Sequence, residues 1–195
     1  MGVSDLSPEV VVPLLRGRLG HPYRFVVQCP STQREIGDTE IEGTTVATDH
    51  QTAGRGRLGR VWEDVPGRSI LMSVLLRPRA PMPLWPELSL VAGEAVARAL
   101  RAEAGIDATL RHPNDVVVAG RKLAGVLPEA SRGRVVLGIG VNVNQTADEL
   151  PPETIKPATS LRLELGHELE RGPLVAAILH ELELGYDRWS APYRG

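Results

Sequence analysis

The sequence predicts an α+β fold, in which helices pack on one side of a mixed, largely antiparallel sheet. Short apolar segments of strand length recur in pairs separated by turn residues, as in antiparallel hairpins. Two longer segments repeat apolar residues at helical spacing. The 195 residues suffice for one domain with a sizeable core, so we expect a single domain over 1–195.

The strands are predicted from short, mostly apolar segments bounded by turn residues. They lie at 23–28, 44–49, 69–77, 115–118, 122–127 and 135–144. A turn at 119–121 joins the fourth and fifth of these into a hairpin. Thr32 and Glu35 have the spacing of a capping box, so we also expect a helix to begin there and to end near Gly37.

Two amphipathic helices are predicted, at 86–101 and 173–189. Pro86 suits the first position of a helix. The apolar face of the first helix comprises Leu88, Val91, Ala95, Val96 and Ala99. The apolar face of the second comprises Val175, Ile178, Leu179, Leu182, Tyr186 and Trp189. The proline-rich segment 151–157 is predicted to be a surface loop.

The composition argues against several classes of protein. A net charge of −2 gives no global attraction to nucleic acid or to an anionic membrane. The single cysteine, Cys29, cannot form an intramolecular disulfide, which suits a reducing compartment. The sequence shows neither a signal peptide nor an apolar run long enough to cross a bilayer. We therefore expect a cytoplasmic protein that acts without DNA or a membrane as partner.

The segment 51–62 (QTAGRGRLGRVW) is the strongest functional signal in the sequence. Its glycines allow a tight loop, and Arg55, Arg57 and Arg60 offer planar donors suited to phosphate and carboxylate. Such a loop can hold a polyphosphate and the charge that develops during attack on it. The segment alone leaves open a solvated basic loop or an RNA-binding segment of the Arg-Gly type.

Two further segments are weaker signals. In the first, Asn114 and Asp115 are candidates to bind a nucleotide or Mg²⁺, and Lys122 lies in an apolar strand. A turn at 113–115, and a lysine that reaches the solvent, explain these residues equally well. In the second, the segment 138–144 (GIGVNVN) lacks the third glycine of a Rossmann motif. Its asparagines either bind a ligand or end a strand.

Taken together, these motifs resemble the biotin protein ligase family in order and spacing. They are 31–33 (STQ), 51–62 (QTAGRGRLGRVW), 66–67 (PG), 113–115 (PND), 122–129 (KLAGVLPE) and 138–144 (GIGVNVN). The resemblance covers about residues 22–190. It implies a catalytic domain similar to class II aminoacyl-tRNA synthetases. It also implies an ATP-dependent ligase that forms biotinyl-5′-AMP and transfers biotin to a lysine of a biotin carboxyl carrier protein.

The resemblance assigns roles to residues by position. Those implied to bind biotin are Ser31, Thr32, Gln51, Gly54, Arg55, Arg57, Lys122, Gly125 and Gly140. Those implied to bind ATP are Arg60, Trp62, Asn114, Asp115, Lys122 and Asn142, with Trp62 flanking the adenine and Asp115 contacting Mg²⁺. Lys122, Arg55 and Arg57 are implied to be catalytic, because they bring two anions together.

The sequence departs from the family pattern in several places. Arg111 and His112 stand where the family usually has Lys-Trp, and Gln33 replaces the usual asparagine. The chain before 23 is too short for the DNA-binding domain of bifunctional members, and it ends soon after the last predicted helix. We therefore expect neither that domain nor the family's small C-terminal β-barrel.

Three alternatives stay open from the sequence. Lipoate ligases and octanoyltransferases share the implied fold, but they lack the glycine–arginine loop. A pseudoenzyme that binds biotin without turnover would account for Arg111 and His112. Dimers are common in the family, so the resemblance leaves a homodimer as an alternative to a monomer.

Overall fold

Seven strands form one sheet in the order β1-β2-β3-β7-β6-β5-β4. The computed structural model describes residues 4–151 and 157–193. The strands are β1 Tyr23–Cys29, β2 Thr45–Gln51, β3 Ser69–Leu76, β4 Thr109–Arg111, β5 Asp115–Val118, β6 Arg121–Ser131 and β7 Arg134–Asn142. Only β1 and β2 pair in parallel; the other pairs are antiparallel, which confirms the predicted mixed sheet.

In the described part of the chain, four α-helices accompany the sheet. They are α1 Pro8–Val11, α2 Leu88–Ala104, α3 Leu161–Leu165 and α4 Arg171–Ser190. The long helices α2 and α4 pack against each other and against the sheet. Within the described ranges, no helix combines the length and the apolar character that crossing a membrane requires.

The main core lies between these two helices and one face of the sheet. Because side chains alternate along a strand, every second residue of β3 and β7 points into this core. The contributors are Ile70, Met72, Val74 and Leu76 from β3, and Val135, Leu137, Ile139 and Val141 from β7. They meet apolar residues of α2 and α4 such as Val96, Leu100, Ile178 and Leu182.

The opposite face of the sheet is covered in part by a 3₁₀ turn, Thr32–Arg34, which contacts β2, β3 and β7. A small apolar cluster of Ile36, Val46, Leu75 and Val136 lies on this side. The remaining β7 residues on this face are Arg134, Gly138, Gly140 and Asn142, which alternate with the core residues in sequence. This face therefore has room above the central strands.

The two predicted long helices and the predicted strands are present, with shifted ends. The helix predicted from Pro86 begins as a 3₁₀ turn, Met82–Glu87, and becomes α2 at Leu88. The helix predicted over 173–189 is α4, in which Trp189 is only half-buried. Strand β6 runs beyond the predicted 122–127, and β7 ends at Asn142, so Asn144 lies outside it.

The predicted capping box at Thr32 is wrong. Ser31 precedes a three-residue 3₁₀ turn, and no side-chain cap is present there. The Thr32 hydroxyl instead contacts Gln51 Oε1 and Ser73 Oγ, which are distant in sequence. A capping box does occur, between Thr146 and Glu149. Strand β4 and helices α1 and α3 were not predicted. Most of the predicted loop 151–157 lies outside the described residues.

Candidate functional site

A pocket opens on the face of the sheet opposite to α2 and α4. It lies above β3, β7 and β6, and the loop that follows β2 crosses it. The lining includes Ser31, Thr32, Gln33, Gln51, Arg55, Arg57, Trp62, Asn114, Lys122, Gly125, Leu127, Gly138 and Gly140. The structure thus brings most of the predicted site residues together.

One end of the pocket is polar and uncharged. The backbone N–H of Thr32 donates to Gln51 Oε1 at 2.9 Å, and the Thr32 hydroxyl lies 3.3 Å from the same oxygen. A 2.7 Å contact between Thr32 Oγ1 and Ser73 Oγ fixes that hydroxyl further. These contacts engage the amide oxygen of Gln51, which lines the pocket, so its Nε2 group remains as a donor.

The other end carries positive charge. Lys122 Nζ lies 2.9 Å from Asp115 Oδ1, and Arg111 Nη2 lies 3.4 Å from Asp115 Oδ2. The Asp115 side chain is only 7% exposed, so two cations surround a buried carboxylate. Lys122 is partly exposed to the pocket, which leaves its ammonium within reach of an anionic ligand.

The glycine–arginine loop forms a short hairpin over the pocket. Gly56 N donates to Arg60 O at 2.8 Å, and Trp62 N donates to Gly54 O at 3.1 Å. Arg57 Nη1 donates to Asn114 Oδ1 at 3.1 Å, which ties the hairpin to the segment before β5. The loop is therefore ordered by its own backbone and by a side-chain contact to the sheet.

The Trp62 indole packs against two glycines of the sheet. A Cβ at Gly140 would lie 2.7 Å from Trp62 Cζ2, and one at Gly125 would lie 3.0 Å from Trp62 Cζ3. Lys122 Nζ lies 5.3 Å from the centroid of the indole, within cation–π range. The assignment of Trp62 to the nucleotide side stays a prediction, and in the structure its indole lies against the two glycines that are predicted to line the biotin pocket.

Four of the predicted site residues are not among those that line this pocket: Gly54, Arg60, Asp115 and Asn142. Arg60 is exposed on the outer side of the hairpin. Asn142 is buried, and its Nδ2 group donates to Thr159 O at 3.0 Å while its Oδ1 accepts from Gln145 at 3.3 Å. In this structure Asn142 holds the segment after β7 to the sheet.

Two residues of the site had no assigned role from the sequence. Glu129 Oε2 lies 2.5 Å from Arg55 Nη2, so β6 holds the glycine–arginine loop through an ion pair. Gln33 replaces the usual asparagine of the family, and it is buried and lines the pocket. The acidic end of the 122–129 motif, placed after an arginine-rich loop, was the one available signal for Glu129.

A buried carboxyl anchors the end of the loop. His50 Nδ1 lies 2.9 Å from Asp64 Oδ2, and Gln51 N donates to Asp64 Oδ1 at 3.4 Å. The Asp64 side chain is 1% exposed, and this burial raises the pKa of its carboxyl, while the hydrogen bond with His50 opposes the rise. The pair joins the segment after Trp62 to the end of β2, beside Gln51.

The donor set of the site does not by itself form a metal cage. Among residues 4–151 and 157–193, no three side chains of His, Cys, Asp and Glu cluster closely enough to hold an ion. The two oxygens of Asp115 face Lys122 and Arg111. The geometry therefore does not favour Asp115 as a direct metal ligand.

The fold is a mixed sheet with helices on one face and a pocket with a cationic end on the other. Comparison with known proteins identifies the protein family that has this fold and site. The chain belongs to the biotin/lipoate A/B protein ligase family, whose sequence model matches residues 27–145. Within that family, its relatives lie on the biotin branch, as the sequence resemblance predicted.

Three relatives illustrate this. The chain is 43% identical over 161 residues to the bifunctional ligase/repressor BirA of Bacillus spizizenii, a match covering 80% of the chain and 50% of BirA. It is 40% identical to the biotin–[acetyl-CoA-carboxylase] ligase of Mycobacterium tuberculosis, over 80% of the chain and 59% of that ligase. The biotin protein ligase of Aquifex aeolicus, solved with biotin and ATP, superposes with a TM-score of 0.77 at 33% identity, covering 86% and 71% of the two chains. The chain thus spans about half the length of the first relative.

Proposed function

We propose that this chain is an ATP-dependent biotin ligase. It forms biotinyl-5′-AMP from biotin and ATP, and then transfers biotin to a specific lysine of a biotin carboxyl carrier protein. The observation that carries the proposal is a single pocket with an uncharged, hydrogen-bonding end at Thr32 and Gln51 and a cationic end at Lys122. A neutral ring system that bears a carboxylate on a chain matches both ends.

The ring end of the ligand is assigned to the uncharged end of the pocket. A cyclic urea offers two N–H donors and one carbonyl acceptor. The fixed Thr32 hydroxyl and the Gln51 amide supply complementary groups, and Ser31 is buried beside them. Gly54, Gly125 and Gly140 have no side chain, so a ligand can approach their backbone closely, as Trp62 already does. Ligand binding therefore requires the indole to share or leave that space.

The carboxylate end is assigned to Lys122, Arg55 and Arg57. In the first step a carboxylate oxygen attacks the α-phosphorus, the bond from that phosphorus to the bridging oxygen breaks, and pyrophosphate leaves. Two anions must meet, so cations that are already in place lower the barrier. Lys122 lies at the cationic end of the pocket, while Arg55 and Arg57 lie on the hairpin above it.

In the second step the amine of the carrier lysine attacks the acyl carbon, AMP departs with the bonding electrons, and one proton is lost. Asn114, Asp115, Arg60, Trp62 and Asn142 are assigned to the nucleotide. Asn114 and Trp62 line the pocket, and Arg60 is exposed beside it. Asn142 does not line the pocket and contributes through its hydrogen bond to Thr159. We assign Mg²⁺ to the phosphates of ATP and the reaction to the cytoplasm.

The test is biotin-dependent release of pyrophosphate from ATP, measured with and without a biotin-acceptor domain. Release with biotin, together with labelling of the acceptor lysine, is the expected result. Release with lipoate or octanoate in place of biotin would move the chain to the lipoate branch of the family. Tight biotin binding without release would make the chain a binding protein and would overturn the proposal.

A further inference from the structure

Gln33 occupies the floor of the pocket at the junction of two strands. Its side-chain amide donates from Nε2 to the carbonyl of Leu127 in β6 at 3.1 Å and to that of Val136 in β7 at 3.3 Å. The residue is 8% exposed. Two hydrogen bonds to two different strands fix both the position and the rotation of this amide.

Gly138 accommodates the Gln33 side chain. A Cβ at Gly138 would lie 3.0 Å from Gln33 Cδ and 3.3 Å from both Nε2 and Oε1. These distances are tighter than ordinary van der Waals contact, so the amide rests on the bare backbone of β7. An asparagine at position 33 is one methylene shorter, and it cannot both cover Gly138 and reach the two carbonyls.

The fixed amide presents one free function to a ligand. Since both N–H groups of Gln33 are directed at main-chain carbonyls, Oε1 is the remaining acceptor. In the part of the chain that the structure describes, no donor contacts this oxygen. Gln33 and Gly138 both line the pocket, and Gln33 directly follows Thr32 in the same 3₁₀ turn. The acceptor therefore belongs to the uncharged end, where the ring of the ligand is assigned.

We propose that Gln33 determines the size specificity of the pocket, limiting its depth above Gly138 and accepting an N–H from the ring of the ligand. The proposal rests on the proposed biotin ligase function, because it takes the cyclic urea as the group at this end. It predicts a site selective for an unsubstituted urea, since a methyl group on the ring nitrogen would both clash with Gln33 and remove the donor.

The first experiment compares the Kd of biotin with that of a biotin analogue methylated on a ureido nitrogen, by calorimetry. The wild-type chain is expected to bind the analogue at least tenfold more weakly, and Gln33→Asn to narrow this ratio by about tenfold, the range expected for one methylene in a pocket. Gln28→Asn makes the same chemical change at an exposed position on β1 and is expected to leave the ratio unchanged.

The second experiment tests the contact with Gly138 by a double-mutant cycle. Gly138→Ala is expected to weaken biotin binding in the wild-type background and to cost clearly less when Gln33→Asn is present, because the shorter side chain leaves room for the methyl group. Thermal unfolding of the same four proteins shows whether each variant folds. It also measures the coupling between Gln33 and Gly138 in the absence of a ligand.

The outcomes separate the two proposals. If the wild-type chain binds no biotin, the proposed function fails and this inference fails with it. If biotin binds but the ratio of Kd values is the same in the wild type and Gln33→Asn, the specificity role of Gln33 is overturned while the ligase proposal stands. Additive effects in the double-mutant cycle would overturn the packing of Gln33 on Gly138.

Discussion

The two faces of the sheet have opposite compositions, although the same strands supply both. Along β7, Leu137, Ile139 and Val141 point toward α2 and α4, while Gly138 and Gly140 point toward the pocket. The first set is packed among apolar side chains, and the second leaves space for the indole of Trp62. One strand thus contributes stability from alternate residues and a binding surface from the residues between them.

This comparison makes a general prediction about mutations. Substitutions at adjacent residues should change different quantities. Those on the helix face should change the free energy of unfolding, and those on the pocket face should change ligand binding or turnover. The variants below test that separation, in order of decreasing expected effect.

Leu137→Ala should have the largest effect on stability. Leu137 is fully buried in the main core, and loss of its side chain leaves a cavity between β7 and the helices. We expect the free energy of unfolding to fall by about 2–5 kcal/mol, measured by denaturant titration. Turnover per folded molecule should stay near that of the wild type. A variant that folds well but loses pyrophosphate release would show that the faces are not independent.

Lys122→Ala should have the largest effect on chemistry. Removal of a pre-positioned cation is expected to slow biotin-dependent pyrophosphate release by roughly 10²–10³-fold. The free energy of unfolding should change far less, because Arg111 still contacts Asp115. Near-normal release in this variant would remove Lys122 from its assigned role.

Arg121→Ala is the matched control for Lys122. Arg121 precedes Lys122 in β6, but it is exposed and pairs with Glu164 at 2.9 Å. Such surface pairs contribute about 0–1 kcal/mol, so both turnover and stability should stay close to the wild type.

Glu129→Gln should have an intermediate effect on binding. The Arg55–Glu129 pair attaches the glycine–arginine hairpin to β6. Without it, binding must also order the loop, so we expect the KM for biotin to rise several-fold, up to about tenfold, with a smaller change in kcat. The pair is about one-third exposed, so stability should change by less than about 1 kcal/mol.

The same substitution on the helix side serves as a control. Glu94→Gln removes a carboxylate that pairs with Arg98 and Arg101 on α2, and it should leave the KM for biotin unchanged. An identical KM in Glu129→Gln and the wild type, at low and high salt, would contradict the attachment of the loop by this ion pair.

Local patterns predicted most of the fold. The segments at 69–77 and 173–189 carry their own periodicity, so their strand and helix follow from sequence neighbours alone. Strand β4 has three residues, too few for any period to be read. The capping box failed because the hydroxyl of Thr32 has better partners in Gln51 and Ser73, which only the tertiary fold brings near.

The site was predicted to a similar extent. The motifs identified most of the residues that line the pocket, since the family resemblance fixes which positions matter. It could not give their mutual arrangement. The resemblance assigns Trp62 to the adenine, but it does not show that the indole packs against two glycines on β6 and β7. Gln33 contacts Leu127, which is 94 residues away in sequence, and Glu129 pairs with Arg55, which is 74 residues away. No local sequence pattern reports such contacts.

The smallest effect concerns Asp64, on the pocket side, where burial raises the pKa of the carboxyl above its ordinary 3.8. A group with a raised pKa in the folded state contributes stability that is fully present below the unfolded pKa and is lost as pH rises through the folded pKa. Relative to Asp64→Asn, the wild-type free energy of unfolding should therefore fall as pH rises from about 3 to 7.

Asp107→Asn, at an exposed position, is the control and should show no such trend. The hydrogen bond with His50, at 2.9 Å, opposes the effect of burial on the pKa of the Asp64 carboxyl. If the stability advantage of the wild type over Asp64→Asn grew with pH, the prediction would be wrong, because the hydrogen bond would then stabilise the ionised form by more than burial destabilises it. A declining advantage would mean that anchoring the loop beside Gln51 costs stability at neutral pH, a cost that the apolar core on the helix face then offsets.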